Sequence, residues 1–202
     1  MNGVSTVALA GVGGQGIILA AAIVAQAAMA ADFQVKTSEV HGMAQRGGSV
    51  VSTVRYGKEV WSPVAPRADL VIATETLEGR RALGLLVDRG TLVYATTVIA
   101  PGSVLRGERA YPDDLVAAAQ ARLIQLIAVD AEALGREAGS VRAANVALVG
   151  AATHALPFGS RAWERALELA IPAPILELNR RAFALGREAA APTVAATARR
   201  GS

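Results

Sequence analysis

Cysteine is absent from this 202-residue chain. That excludes a disulfide, a cysteine-ligated iron–sulfur cluster and a thiol nucleophile. Histidine is scarce: His41 and His154 are the only two, neither has a carboxylate at helical spacing, and no metal site is expected. Lysine is limited to Lys36 and Lys58, and aromatic residues make up 4% of the chain. The net charge of +3 and the isoelectric point near 9.8 therefore do not signal nucleic acid. The arginines alternate with acids, and there are too few rings for base-stacking platforms. No apolar run reaches the roughly 18 to 20 residues of a spanning helix, since the best candidate, Ile17 to Ala31, is Ala-rich, short and starts in a glycine turn. No membrane association is expected. With no charged leader and cleavage site in view, a cytoplasmic location is expected.

The informative residues are two glycine-rich loops at the ends of the first two predicted strands. Gly11-Val12-Gly13-Gly14-Gln15-Gly16 follows the apolar run Thr6 to Ala10 and precedes a long Ala-rich helix. Glycines at 11, 13 and 16 fit the dinucleotide fingerprint: a tight turn, a bare backbone for a pyrophosphate and close helix packing. Unpaired amides and the helix dipole favour an anion there. No lysine follows the last glycine, so this is not a Walker-type loop. The other reading is that these glycines only let helix and strand pack closely.

The second loop, Glu39-Val40-His41-Gly42-Met43-Ala44-Gln45-Arg46-Gly47-Gly48, adds charge. Glu39 ends the second strand, where a carboxylate can accept hydrogen bonds from a ribose. Arg46, flanked by Gly47 and Gly48, offers a planar fork for phosphate or carboxylate. A surface arginine beside a flexible turn is the plain alternative. His41 has no neighbour to orient it as a base, so no catalytic role is expected for it. His154 reads as a hydrogen-bonded packing residue. Asn145 reads as a helix cap or packing residue more readily than as a crevice residue.

Element types alternate along the rest of the chain. Ser49 to Tyr56, Asp69 to Thr74, Thr91 to Ile99 and Ile124 to Val129 read as strands. Thr76 to Val87 reads as a helix stopped by Arg89-Gly90, and Pro112-Asp113-Asp114 as a helix start with acids in its first turn. From Ala131 the pattern is helical, broken at Gly139, Pro157-Phe158-Gly159 and Pro172-Ala173-Pro174. The expectation is a Rossmann-like α/β fold: a mostly parallel sheet, helices on both faces, and a helical C-terminal extension. One domain spans residues 1–189, with the extension from about 131. Residues 190–202 have the composition of a disordered or docking tail. Ligands of such sheets bind outside the carboxyl ends of the strands, where both glycine loops and Thr74-Glu75 fall.

Three stretches resemble the gamma subunit or domain of the 2-oxoacid:ferredoxin oxidoreductases. They are Gly11 to Ile17, Glu39 to Val50, and Val54-Arg55 with Ala68 to Val71. Glu39 to Gly48 looks most like the small beta subunit of indolepyruvate ferredoxin oxidoreductase, and Asn145 to Gly150 and Leu178 to Gly186 resemble its C-terminal part. The likeness covers roughly residues 5 to 188.

The resemblance implies a subunit of an enzyme that oxidatively decarboxylates a 2-oxoacid to an acyl-CoA and passes the electrons to ferredoxin. Aryl pyruvates such as indolepyruvate are the implied substrates. Thiamine diphosphate, Mg and [4Fe-4S] clusters are then expected on a large partner subunit, since no motif for them occurs here. This chain would pack on that partner and touch coenzyme A at its glycine loops. The implied contact set is Gly11, Gly13, Gly14, Gln15 and Gly16 of the first loop with Glu39, Gly42, Arg46, Gly47 and Gly48 of the second. No side chain of this subunit is expected to do chemistry. Two alternatives remain open on the residues alone, a stand-alone NAD(P)-binding oxidoreductase and a non-enzymatic nucleotide-binding module.

Overall fold

A computed structural model describes residues 3–41 and 48–198, with side chains described for 3–40 and 48–191. Six strands form one sheet in the order β2-β3-β1-β4-β5-β6. β1 (Ser5–Val12), β4 (Ala68–Ala73), β5 (Leu86–Ala95) and β6 (Gln125–Val129) run parallel. β3 (Ser49–Gly57) is antiparallel to both β1 and β2 (Gln34–His41). β2 therefore points the same way as β1, but with β3 inserted between them.

The central strand shows why this sheet needs two cover layers. Alternate residues of a strand face opposite sides. Val7 and Leu9 of β1 enter one core with α1 (Ile17–Ala30), while Ala8 and Ala10 enter another with Leu83 and Leu115. The first layer comprises α1, α5 (Ala131–Ala138), α6 (Ala144–Ala152), α7 (Ser160–Ala170) and α8 (Ala173–Ala198). The second has α2 (Thr76–Ala82) and α4 (Leu115–Gln120), and the short α3 (Gly102–Leu105) lies in the β5–α4 connection. Helix α1 is apolar nearly all round because it is wedged between the sheet and α7.

Five rings form a chain of tilted and edge contacts at the pole away from the glycine loops. Phe33, Tyr56, Phe158, Trp163 and Phe183 lie 4.9 to 6.0 Å apart, joining the sheet to α7 and α8. All three phenylalanines of the chain are spent there.

Several elements differ from expectation. The helix expected to Val87 ends at Ala82, followed by a 3-10 turn over Leu83–Leu85. Distant arginines draw off its carbonyls: Arg122 donates to Leu83 O and Leu86 O at 2.5 Å each, and Arg67 to Gly84 O at 2.5 Å. Arg89-Gly90, expected to stop that helix, lies inside β5, where pairing with β4 jumps from Ala68↔Leu86 to Leu70↔Thr91. The acids before α4 do not enter its first turn, because Asp114 is held by Arg80 through two bonds of 2.6 and 2.7 Å. The breaks at Gly139, Pro157 to Gly159 and Pro172 fall between helices as expected. The backbone of the expected tail is helical as far as Ala198. Among the described residues, no helix is long and apolar enough to cross a membrane.

Candidate functional site

The chain leaves β1 through α1 toward β2 at one end of the sheet, and leaves β4 through α2 toward β5 at the other. The carboxyl ends of β1 and β4 are therefore a topological switch point, where open α/β sheets form a crevice. The first glycine loop occupies it.

That loop is anchored on both flanks. Gln15 folds its side chain back: its Oε1 accepts from Val12 N–H at 2.8 Å and from Thr74 Oγ1–H at 2.6 Å. Thr74 N–H in turn donates to Ala10 O at 3.0 Å. Gly11 has to be glycine for this contact, since a Cβ there would lie 2.0 Å from Thr74 Oγ1. On the other flank Asn145 Nδ2–H donates to Gly16 O at 2.9 Å. Gly16 sits at φ +73°, and a Cβ on it would come within 2.3 Å of Asn145 Nδ2. Asn145 is thus neither a helix cap nor a surface residue, contrary to the reading favoured from sequence; it is buried and faces the crevice.

The two loops meet through Gly13 N–H, which donates to Gly48 O at 2.9 Å. Just beyond, Ser49 Oγ–H donates to Glu78 at 2.5 Å, and Glu78, which Arg81 also contacts, is buried. These bonds change the amide inventory. Gly13 N–H is taken by Gly48, and Gln15 N–H by Val12 O at 3.1 Å. Among the described residues, Gly14 N–H and the first-turn amides of α1 remain for an anion, because that helix has no side-chain cap.

Glu39 is not placed as the dinucleotide fingerprint requires. It pairs with Ser52, which pairs with Leu9, so β3 separates it from β1 by about 10 Å. Gly42, Arg46 and Gly47 lie outside the described residues, as does the His41 side chain. His154 is exposed rather than packed, though its ring is 2.8 Å from Arg187 O.

A cavity of about 800 Å³ opens between the loop, the ends of β4 and β5, and helices α5, α6 and α8. Gly14, Gln15, Gly16, Thr74 and Asn145 line its sheet side. Arg142 stands on the helical side and is exposed.

On the opposite face of the sheet, Glu75 is a carboxylate only 1% exposed. It caps α2 by accepting from Glu78 N–H at 2.7 Å, and also accepts from Ile99 N–H at 3.1 Å and Tyr111 O–H at 2.9 Å. Burial, with the Glu75 carboxylate second, pushes the Tyr111 hydroxyl up to about 12. Glutamate is a poor N-cap by preference, so no sequence signal marks this hub. Among the described residues, no group of histidine, aspartate and glutamate side chains could hold a metal ion.

The family model for pyruvate ferredoxin/flavodoxin oxidoreductase matches residues 6–189. The chain is 38% identical over 187 residues to the indolepyruvate oxidoreductase subunit IorB of Methanothermobacter thermautotrophicus, covering 90% of this chain and 95% of that one. The subunit of the same name from Thermococcus kodakarensis is 35% identical over 191 residues, with 91% and 95% covered. Among solved structures, the gamma subunit of a keto/oxoacid ferredoxin oxidoreductase from Geobacter sulfurreducens superposes with a TM-score of 0.70 at 26% identity. That match covers 93% of this chain and 99% of the other.

Proposed function

Because this chain belongs to the pyruvate ferredoxin/flavodoxin oxidoreductase family, we propose that it is the small subunit of an indolepyruvate-type 2-oxoacid:ferredoxin oxidoreductase and forms part of that complex's coenzyme A side. The observation that carries the reading is the bond from Gly13 N–H, in the first loop at the switch point, to Gly48 O, the last residue of the second glycine-rich stretch.

The division of labour follows from residue chemistry. An iron–sulfur cluster needs thiolates, and this chain has none. Clusters and thiamine diphosphate with its Mg therefore belong to the large partner subunit, and ferredoxin is the acceptor of the whole complex. Coenzyme A supplies the thiol that accepts the acyl group. What this chain has for it is a fixed backbone: Gly14 N–H, the open first turn of α1, and Arg46 in the adjoining loop. Gln15 and Asn145 hold those amides in place, and Glu39, Gly42, Gly47 and Gly48 join the proposed contact set by motif alone. We assign no carbonyl-polarising or proton-transfer role to the side chains of this subunit.

The stand-alone NAD(P) reading is the weaker one. Its ribose carboxylate would have to be Glu39, which β3 holds away from the first loop.

Co-expression with the large subunit, followed by coenzyme A-dependent dye reduction with aryl pyruvates, tests the proposal. An active brown complex is expected. In that complex Arg46→Ala should raise the coenzyme A requirement and leave subunit association intact. Unchanged coenzyme A kinetics would remove Arg46 from the ligand path. A colourless chain that purifies alone and binds NAD(P) would overturn the subunit reading.

A further inference from the structure

The first glycine loop is steered from the end of the β1–β3 ladder. Val12 pairs with Ser49, and the next contact outward is Gly13 N–H to Gly48 O at 2.9 Å. Gly13 and Gly14 carry no Cβ and have wide backbone freedom, so the direction of Gly14 N–H depends on what holds the loop on either side. On one side Gln15 is held by Thr74 and Val12. On the other, Gly13 is held through Gly48, and a bond beyond the strand end frays unless something braces it.

The brace is Glu78. Its Oε2 accepts from Ser49 Oγ–H at 2.5 Å across 29 residues of sequence, its Oε1 accepts from Arg81 Nη1–H at 2.5 Å, and its own N–H is capped by Glu75 at 2.7 Å. Thr74, which holds Gln15, stands directly before that cap. Both supports of the loop therefore start from one short stretch, Thr74 to Glu78, just past the carboxyl end of β4.

Stability alone does not account for a glutamate at this position. Glu78 is 3% exposed and stands three residues from Glu75, itself buried, and among the described residues the pair has one ion-pair partner, Arg81. A buried charge held in this way is often no better for stability than a hydrophobic side chain of similar volume. Ser49 and Arg81 both reach solvent, so neither needs Glu78 to complete its own hydrogen bonding. What a carboxylate supplies here and a leucine does not is a fixed acceptor for Ser49.

We infer that Glu78 is a positioning residue for coenzyme A: through Ser49 it keeps the Gly48 carbonyl on Gly13 N–H, and so aims Gly14 N–H at the ligand. Glu78 does not touch the ligand itself. The inference rests on the coenzyme A reading above.

The test uses the complex with the large subunit. Ser49→Ala deletes the hydroxyl and leaves the Glu78–Arg81 pair in place. It should raise the KM for coenzyme A about twofold to tenfold, the worth of one hydrogen bond, while kcat and the KM for the 2-oxoacid hold. Ser49→Thr, which keeps the hydroxyl, should restore the wild-type KM. Glu78→Leu should raise the KM to the same extent without lowering the melting temperature, and adding Ser49→Ala to it should change nothing further, because both remove one contact. An unchanged coenzyme A KM in Ser49→Ala, an effect on kcat alone, failure of Ser49→Thr to restore the KM, or additive effects of the two changes would each overturn the inference. If Glu78→Leu does not fold, the two Ser49 variants decide it. Wild-type turnover independent of coenzyme A would overturn the coenzyme A reading and this inference with it, whereas a coenzyme A-dependent wild type with a silent Ser49→Ala overturns this inference alone.

Discussion

Replacing Gly16 by alanine tests the anchoring of the first glycine loop most directly. The residue sits at φ +73°, where an L side chain costs about 1–2 kcal/mol. Its new Cβ would also stand 2.3 Å from Asn145 Nδ2, well inside contact distance. Asn145 must then retreat, losing the 2.9 Å bond to Gly16 O, worth about 0.5–1.5 kcal/mol. The expected loss is about 2–3 kcal/mol, or a fall in Tm of roughly 4–12 °C for a chain this size. Urea unfolding followed by circular dichroism gives the number. The control is Gly14→Ala, where φ is +101° but nothing lies within 4 Å of the Cβ, so only the backbone strain should appear. The decisive variant combines Gly16→Ala with Asn145→Ala. Once the amide is gone the collision is gone, so the double change should cost at least about 1 kcal/mol less than the sum of the singles. Strict additivity, or a Gly16→Ala loss no larger than that of Gly14→Ala, would refute the idea that Asn145 and Gly16 are matched.

Thr74→Val removes one of two donors to Gln15 Oε1 and should cost about 1 kcal/mol in urea unfolding, with a weaker response to coenzyme A in the assembled enzyme. Glu75→Ala strands the Ile99 and Glu78 amides and the Tyr111 hydroxyl, so a loss of about 3 kcal/mol or more is expected from the same measurement. Tyr111 has its folded-state value raised from 10 to about 12, so its contribution is complete below pH 10 and falls away as pH rises from 10 to 12. In thermal melts across that window Tyr111→Phe should flatten the decline, and an unchanged profile would count against the Glu75 contact. Phe158→Ala, at the middle of the ring chain, should cost about 3–5 kcal/mol without affecting ligand binding at the opposite pole.

Much of the architecture was legible because it rests on local rules. The first glycine loop sits at the end of β1, β3 alternates as a strand should, and Gly139, Pro157 and Pro172 punctuate the helices. The misread stretches are those where distant side chains intervene. Arg122 ends the helix before Val87, and Arg80 withdraws Asp114 from a capping role. Burial of Glu75 and Glu78 left no trace in the sequence, because isolated glutamates ordinarily face water.

By itself the sequence determined the order of the main elements, the absence of thiolate chemistry and the position of the first glycine loop at the carboxyl edge of the sheet. These follow from backbone preference, composition and strand polarity, all short-range properties. The insertion of β3 between β1 and β2, which moves Glu39 off the fingerprint, was decided only by tertiary pairing. So was the seating of Asn145 on Gly16, 129 residues earlier in the chain. Which strand pairs with which, and which amide reaches which carbonyl, depends on how the whole core packs, and no local pattern of residues encodes that.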